Sequence, residues 1–169
     1  MTLETLLKDY VTYNRWANRL VVEWLREKPS ELMTREVPSS FPHLHGTLLH
    51  IWSAEKVWLE RLQQVSPEPF LAQNFNGSTD DVFDGLLRAS EQFEGYVHSL
   101  PDVSFHEICH FRLLNGSEDH RPRHQMIHHC LNHSTYHRGQ IVTIARNLGL
   151  TDPPQTDYIR YVRLHHKVE

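Results

Sequence analysis

The chain has 169 residues, of which 39% are apolar and 22% charged, with a formal net charge of −4. Such a chain can bury the full core of a single domain. It contains no Lys/Arg block suited to nucleic acid and no apolar run near the ~20 residues of a membrane-spanning helix.

The first predicted helix runs from Thr2 to about Lys28, with Leu3, Leu7, Tyr10, Tyr13, Ala17, Val21 and Trp24 at helical spacing. Its opening stretch, MTLETLLKDYVTYNRW, lacks the apolar centre of a secretory signal, so the chain is expected in the cytoplasm. Pro29 stops this helix, because the residue before a proline is driven out of the α region. A loop carrying Pro38 and Pro42 leads to a second helix from about Leu44 to Gln64, ended by Ser66-Pro67-Glu68-Pro69. A third helix is predicted over Thr79–Ser99, capped by Ser78 or Thr79 and closed by Pro101.

Between Val103 and Asp119 the helical period is lost, and Asn115-Gly116 signals a small β-hairpin or irregular insertion. The fourth helix follows from Arg121 to about Leu148, with Gly149 as its C-terminal cap. The tail beyond Pro153 and Pro154 reads as extended, packing back through Tyr158, Ile159, Tyr161 and Val162. Four long striped helices predict an all-α four-helix bundle, with no connection order implied. Cys109 and Cys130 lie far apart without a CxxC and read as free thiols, at least one of them in the core.

Six of the 14 histidines (His120, His124, His128, His129, His133 and His137) fall within 18 residues. The apolar face of the fourth helix is drawn by Met126, Cys130, Ile141, Ile144 and Leu148. His137 projects near its middle and His133 about 40° to one side. Residues four apart stand one above the other, so this pair can offer two imidazoles to one ion from the bundle interior. Two core histidines bonded to backbone or water fit the same spacing. A third ligand must come from another helix, and His50, on the flank of the second helix's stripe, is the candidate; His43 shares that flank.

Other templates fit badly. The segment His133-Ser134-Thr135-Tyr136-His137 lacks the glutamate of an HExxH protease, and the one ExxH, Glu107 to His110, sits in the hairpin. Secondary candidates are His129 as a pocket-lining or surface residue, and Glu55 as a ligand-orienting carboxylate or salt-bridge partner. Trp16, Trp52 and Trp58 read as core or cavity wall. Arg138 is placed by the helical wheel away from the core.

Three blocks then carry a resemblance. They are Tyr13-Asn14-Arg15-Trp16-Ala17-Asn18, His50-Ile51-Trp52-Ser53-Ala54-Glu55 with Trp58, and Asn132-His133-Ser134-Thr135-Tyr136-His137-Arg138-Gly139-Gln140. In order and separation they resemble the DinB/YfiT-like family of damage-inducible helical bundles over essentially the whole chain. The resemblance implies a four-helix bundle, often a homodimer, with His50, His133 and His137 holding a divalent metal such as zinc or nickel. It also implies a small-molecule substrate. Some relatives are transferases or isomerases dependent on a low-molecular-weight thiol such as mycothiol or bacillithiol. The expectation is therefore a metal-dependent enzyme, with a thiol S-transferase or isomerase as the narrower reading. The alternative is a non-catalytic metal- or ligand-binding stress-response bundle.

Overall fold

A computed structural model describes residues 1–66 and 69–166. In chain order the elements are α1 (Leu3–Arg26), α2 (Leu44–Leu62), α3 (Thr79–Ser99), β1 (Ile108–Arg112), β2 (Glu118–Pro122), α4 (Arg123–Asn147) and α5 (Tyr158–His165). The four long helices form the expected bundle. α1 packs against α3 and α4, and α2 packs against the same two, so α1 and α2 stand at opposite corners. The long connection between α1 and α2 is what lets consecutive helices occupy a diagonal. No helix among the described residues is long and apolar enough to cross a membrane.

Local chemistry explains the helix ends. The Thr2 hydroxyl accepts from the Thr5 backbone N–H at α1, and Ser78 with Asp81 forms a full capping box at α3. α4 closes in a Schellman turn: Gly149 at φ 88° donates to the Arg146 carbonyl, and Leu150 donates to that of Ala145. α2 closes in the same way through Gln64 at φ 62°, two residues short of the predicted end. A glutamine in that left-handed position gives no glycine signal to read. The Pro67-Glu68 part of the predicted stop lies outside the described residues.

The hairpin is antiparallel, with Ile108 opposite Pro122 and Arg112 opposite Glu118. Arg121 and Pro122 thus belong to β2, and α4 begins at Arg123. Alternation along β1 turns Cys109 and Phe111 into the core. Both cysteines are free and buried. The tail is helical where extended chain was expected. Tyr158, Tyr161, Val162 and His165 share one helical face, and that face docks on α1 through Tyr10, Tyr13 and Trp16, while Ile159 faces outward.

The core falls into two apolar halves. One gathers Val21, Leu25, Leu48, Ile51, Leu86 and Ile144; the other gathers Leu7, Val11, Leu62, Phe93, Met126 and Leu131. Between them runs a buried polar layer drawn from all four helices. The Glu55 Oε1 atom accepts from Asn14 Nδ2 (2.7 Å), Asn18 Nδ2 (2.8 Å) and Ser134 Oγ (2.9 Å), while Oε2 accepts from Ser90 Oγ (2.6 Å). Arg138 donates to Asn14 Oδ1 (2.6 Å), Asn18 Oδ1 (2.8 Å) and Thr135 Oγ1 (2.8 Å). Two opposite charges are therefore buried together, joined by two shared asparagine amides.

Arg138 is 3% exposed, so its expected outward direction is overturned: the wheel places a charge outside, but Asn14 and Asn18 open a polar berth inside. Removing one member of such a layer strands the others without solvent. Glu55→Ala is expected to lower the unfolding free energy by about 3–5 kcal/mol in urea denaturation, and Glu55→Gln by less. A change within about 0.5 kcal/mol, typical of an uninvolved surface site, would show that the layer does not stabilise the fold.

Candidate metal centre

α2 presents His50 and α4 presents His133 and His137 across the contact between those helices. The His133 Nε2 atom lies 3.0 Å from His50 Nε2 and 3.0 Å from His137 Nε2. The three donor atoms lie within 4.8 Å of one another. Nitrogens bound to one tetrahedral zinc at roughly 2.0–2.1 Å stand about 3.3 Å apart. The two His133 contacts are slightly shorter than that, and His50 and His137 must close towards it from a separation of at most 4.8 Å. All three predicted ligands are brought together, and no carboxylate or cysteine among the described residues joins them.

The ring orientations follow from their surroundings. His137 donates from Nδ1 to Gln140 Oε1 at 2.6 Å, and the Gln140 amide nitrogen donates to Tyr136 Oη (3.2 Å) and Ser40 Oγ (3.4 Å). Those outer bonds fix the amide, and the amide assigns the His137 proton to Nδ1. Its Nε2 lone pair is then directed at the other two rings. Phe41 stacks on His50 at 4.3 Å between centroids and meets His137 edge-on at 5.6 Å, covering one side of the group.

Hydrogen bonds alone do not satisfy this arrangement. A single proton on His133 Nε2 serves one of its two 3.0 Å contacts and leaves the other unmet. The His133 Nδ1 atom is buried with no partner among the described residues. Burial without full pairing costs free energy; a cation between the three Nε2 atoms would engage their lone pairs at once, while the His133 Nδ1 atom stays outside that group. The donor set therefore fits a divalent ion.

Burial also keeps the rings neutral. It is the main reason that His133 is held down at about 3, with the neighbouring imidazoles lowering it further, and His50 at about 4, with His137 adding to the shift. His137 is lowered by burial, partly offset by its bond to Gln140. Neutral imidazoles keep their lone pairs for a metal at physiological pH.

The remaining candidates separate cleanly. His43 caps α2, its Nδ1 accepting from the Gly46 N–H at 2.8 Å. His129 is exposed, one turn before His133 on α4, with its ring 4.7 Å from that of Trp58. Among the described residues Glu55 bonds to none of the three histidines and forms no salt bridge; it is committed to the buried layer. Trp52 packs against Gly85, where an added Cβ would come within 2.4 Å of its ring, and Trp16 packs on Tyr161 of the tail helix. Gln140, which closes the third motif block, and Phe41 are given no role by the sequence alone. Gln140 is readable in hindsight as i+3 from His137, one turn on. Phe41 comes from an irregular loop that carries no period.

A sequence profile of the DinB family matches residues 1–168. The chain belongs to the DinB family. It is 28% identical to Protein DinB of Bacillus subtilis (strain 168) over 159 residues, covering 89% of this chain and 90% of that one. Its fold is similar to the crystal structure of a DinB-like protein from Bacillus cereus ATCC 10987. That similarity has a TM-score of 0.66 at 20% identity, over 85% of this chain and 91% of the other. The structural similarity agrees with the helical bundle.

Two outcomes follow from the ring environment. Because the folded values lie below the ordinary histidine value of 6.5, the unfolded chain binds protons that the folded chain refuses. The metal-free protein should hold full stability above about pH 6.5 and lose it as pH falls towards 4, with a smaller loss in His133→Phe; identical pH–Tm curves for the two would contradict the assignment. Gln140→Leu should weaken zinc binding by about 10–100-fold, and an unchanged affinity by competition titration would remove Gln140 from the site.

Proposed function

We propose that this DinB-family chain is a metal-dependent enzyme that binds one divalent ion, zinc or nickel, through His50, His133 and His137. The narrower reading is transfer of a low-molecular-weight thiol to a small electrophilic molecule, or isomerisation with its help. The observation that carries it is the convergence of three neutral Nε2 atoms from two helices. Three protein donors leave a tetrahedral ion with one free position, the pattern of catalytic sites as opposed to closed structural ones.

A divalent ion held by His50, His133 and His137 would act as a Lewis acid, lowering the pKa of a thiol or water bound to it. Three neutral donors leave its charge uncompensated, which strengthens that effect. The chain's own contribution is positional. Gln140 fixes His137, Phe41 excludes water from one side of the rings, and half-buried His50 and His133 leave an approach for a small molecule. Hydrolysis of the HExxH type uses a carboxylate base beside the metal, and no carboxylate among the described residues joins this group. A thiol would bind such an ion as the thiolate, its proton passing to solvent, and so needs no carboxylate base there. The same lack of a base is the observation that favours the alternative, a non-catalytic metal- or ligand-binding bundle.

Gently purified protein should contain about one divalent ion per chain, as a three-ligand site implies, and His137→Ala should lose it. Turnover of an electrophile panel with low-molecular-weight thiols should vanish in the same variant. Full turnover by metal-free His137→Ala would overturn the enzymatic reading. Metal-loaded protein inert to the whole panel, yet stabilised by one metabolite, would establish the binding role instead.

A further inference from the structure

The stripe of α4 that carries His133 and His137 continues towards the start of the helix through His129 and Met126. These residues are spaced by three or four and therefore share one face. Met126 is buried and His129 is exposed. Beside them, between α4 and the hairpin, lies a cleft of about 230 Å³. Trp58, two turns beyond His50 on α2, and Phe111 of β1 supply its other apolar walls, and Asp119, Arg121 and Gln125 its polar ones.

The cleft adjoins the histidine cluster. The His129 ring, part of the cleft wall, lies 6.1 Å from the ring of His133. Phe41 covers the cluster elsewhere, against His50 and His137. A molecule resting in the cleft is thus one turn of α4, about 5.4 Å, from the nearest of the three imidazoles.

The walls select what fits. Trp58 meets Phe111 at 68° with centroids 5.5 Å apart, and meets His129 at 61° and 4.7 Å. Rings set at such angles offer faces and edges to a further ring, the arrangement that aromatic groups prefer. Met126 adds a thioether, which adapts to an aromatic edge. The two opposite charges in the lining, Asp119 and Arg121, are paired with each other at 3.0 Å, so neither is free for a charged guest. An apolar cavity of roughly 150 Å³ takes a benzene molecule, so this cleft has room for one ring and a short linker.

We propose that the cleft walled by Trp58, Phe111, Met126 and His129 holds an aromatic ring of the small molecule whose other end meets the three histidines. The ring site stands on the cleft itself; the placing of the reacting end rests on the proposed metal centre. The electrophile of the proposed reaction is thereby an aryl or arylalkyl compound.

The test titrates full-length protein with benzyl alcohol and with cyclohexylmethanol, its saturated counterpart, following the Trp58 indole, Met126 methyl and His129 ring resonances by NMR. Benzyl alcohol should saturate with shifts centred on those three residues and bind more tightly than cyclohexylmethanol. His129→Ala, a change at an exposed position, should weaken it by about 2–10-fold, the loss of one aromatic contact. No saturable shift, shifts centred elsewhere, equal affinity for the saturated ring, or unchanged affinity in His129→Ala would each overturn the aromatic site. A second titration adds arylalkanethiols of increasing linker length, from benzyl mercaptan upward, to zinc-loaded protein. One length should bind tighter than the matching alcohol by on the order of 10-fold or more, and that advantage should vanish in His137→Ala. Ring binding without any such advantage would detach the cleft from the histidines. Protein that takes up no zinc would overturn the metal centre and the placing of the reacting end, while benzyl alcohol binding that persists in His137→Ala would keep the ring site.

Discussion

The structure depends on one buried carboxylate. Glu55 lies where all four helices meet and accepts hydrogen bonds from α1, α3 and α4 while belonging to α2. A charge in that position is tolerable only when every lone pair is met and an opposite charge is near. Arg138 supplies that charge through the amides of Asn14 and Asn18. The apolar halves above and below would tolerate many small slides, since hydrophobic contact is non-directional. The polar layer does not, because each bond has a direction and a length near 3 Å. It sets the register of the bundle.

That register is also the register of the site. His50 lies five residues before Glu55 on α2, and His137 is adjacent to Arg138 on α4. A slip of α2 along α4 by one residue, about 1.5 Å, would break the Ser134 bond to Glu55 and pull His50 away from His133. One face of α4 thus carries two tasks. Ser134 and Arg138 turn to the structural layer, while His133 and His137, each one residue earlier, turn to the cluster. Gln140 extends the arrangement outward by holding the proton of His137 on the atom that does not face the group.

The helices were legible because long 3.6-residue stripes bounded by Ser78, Pro29 and Gly149 leave few alternatives. The three histidines of the cluster are legible for a different reason: the HxxxH spacing on α4 and the block around His50 resemble a family pattern. Periodicity alone left His50 on a flank. What periodicity does not carry is tertiary. Arg138 looked external because a helical wheel has no knowledge of asparagines on another helix. Glu55 reads on α2 alone as a ligand orienter or a flank ion pair, because its four partners lie 35 to 79 residues away in sequence. At the tail, Pro153 and Pro154 point to extended chain, while the eight-residue helix gains its stability from docking on Tyr13 and Trp16.

The central claim is that His50, His133 and His137 share one ion, and X-ray absorption spectroscopy of the zinc-loaded protein tests it most directly. The account predicts three imidazole nitrogens at about 2.0–2.1 Å, multiple-scattering features from three rings, and one further light-atom ligand. A spectrum with fewer than three imidazoles, or with sulfur from Cys109 or Cys130, would contradict it.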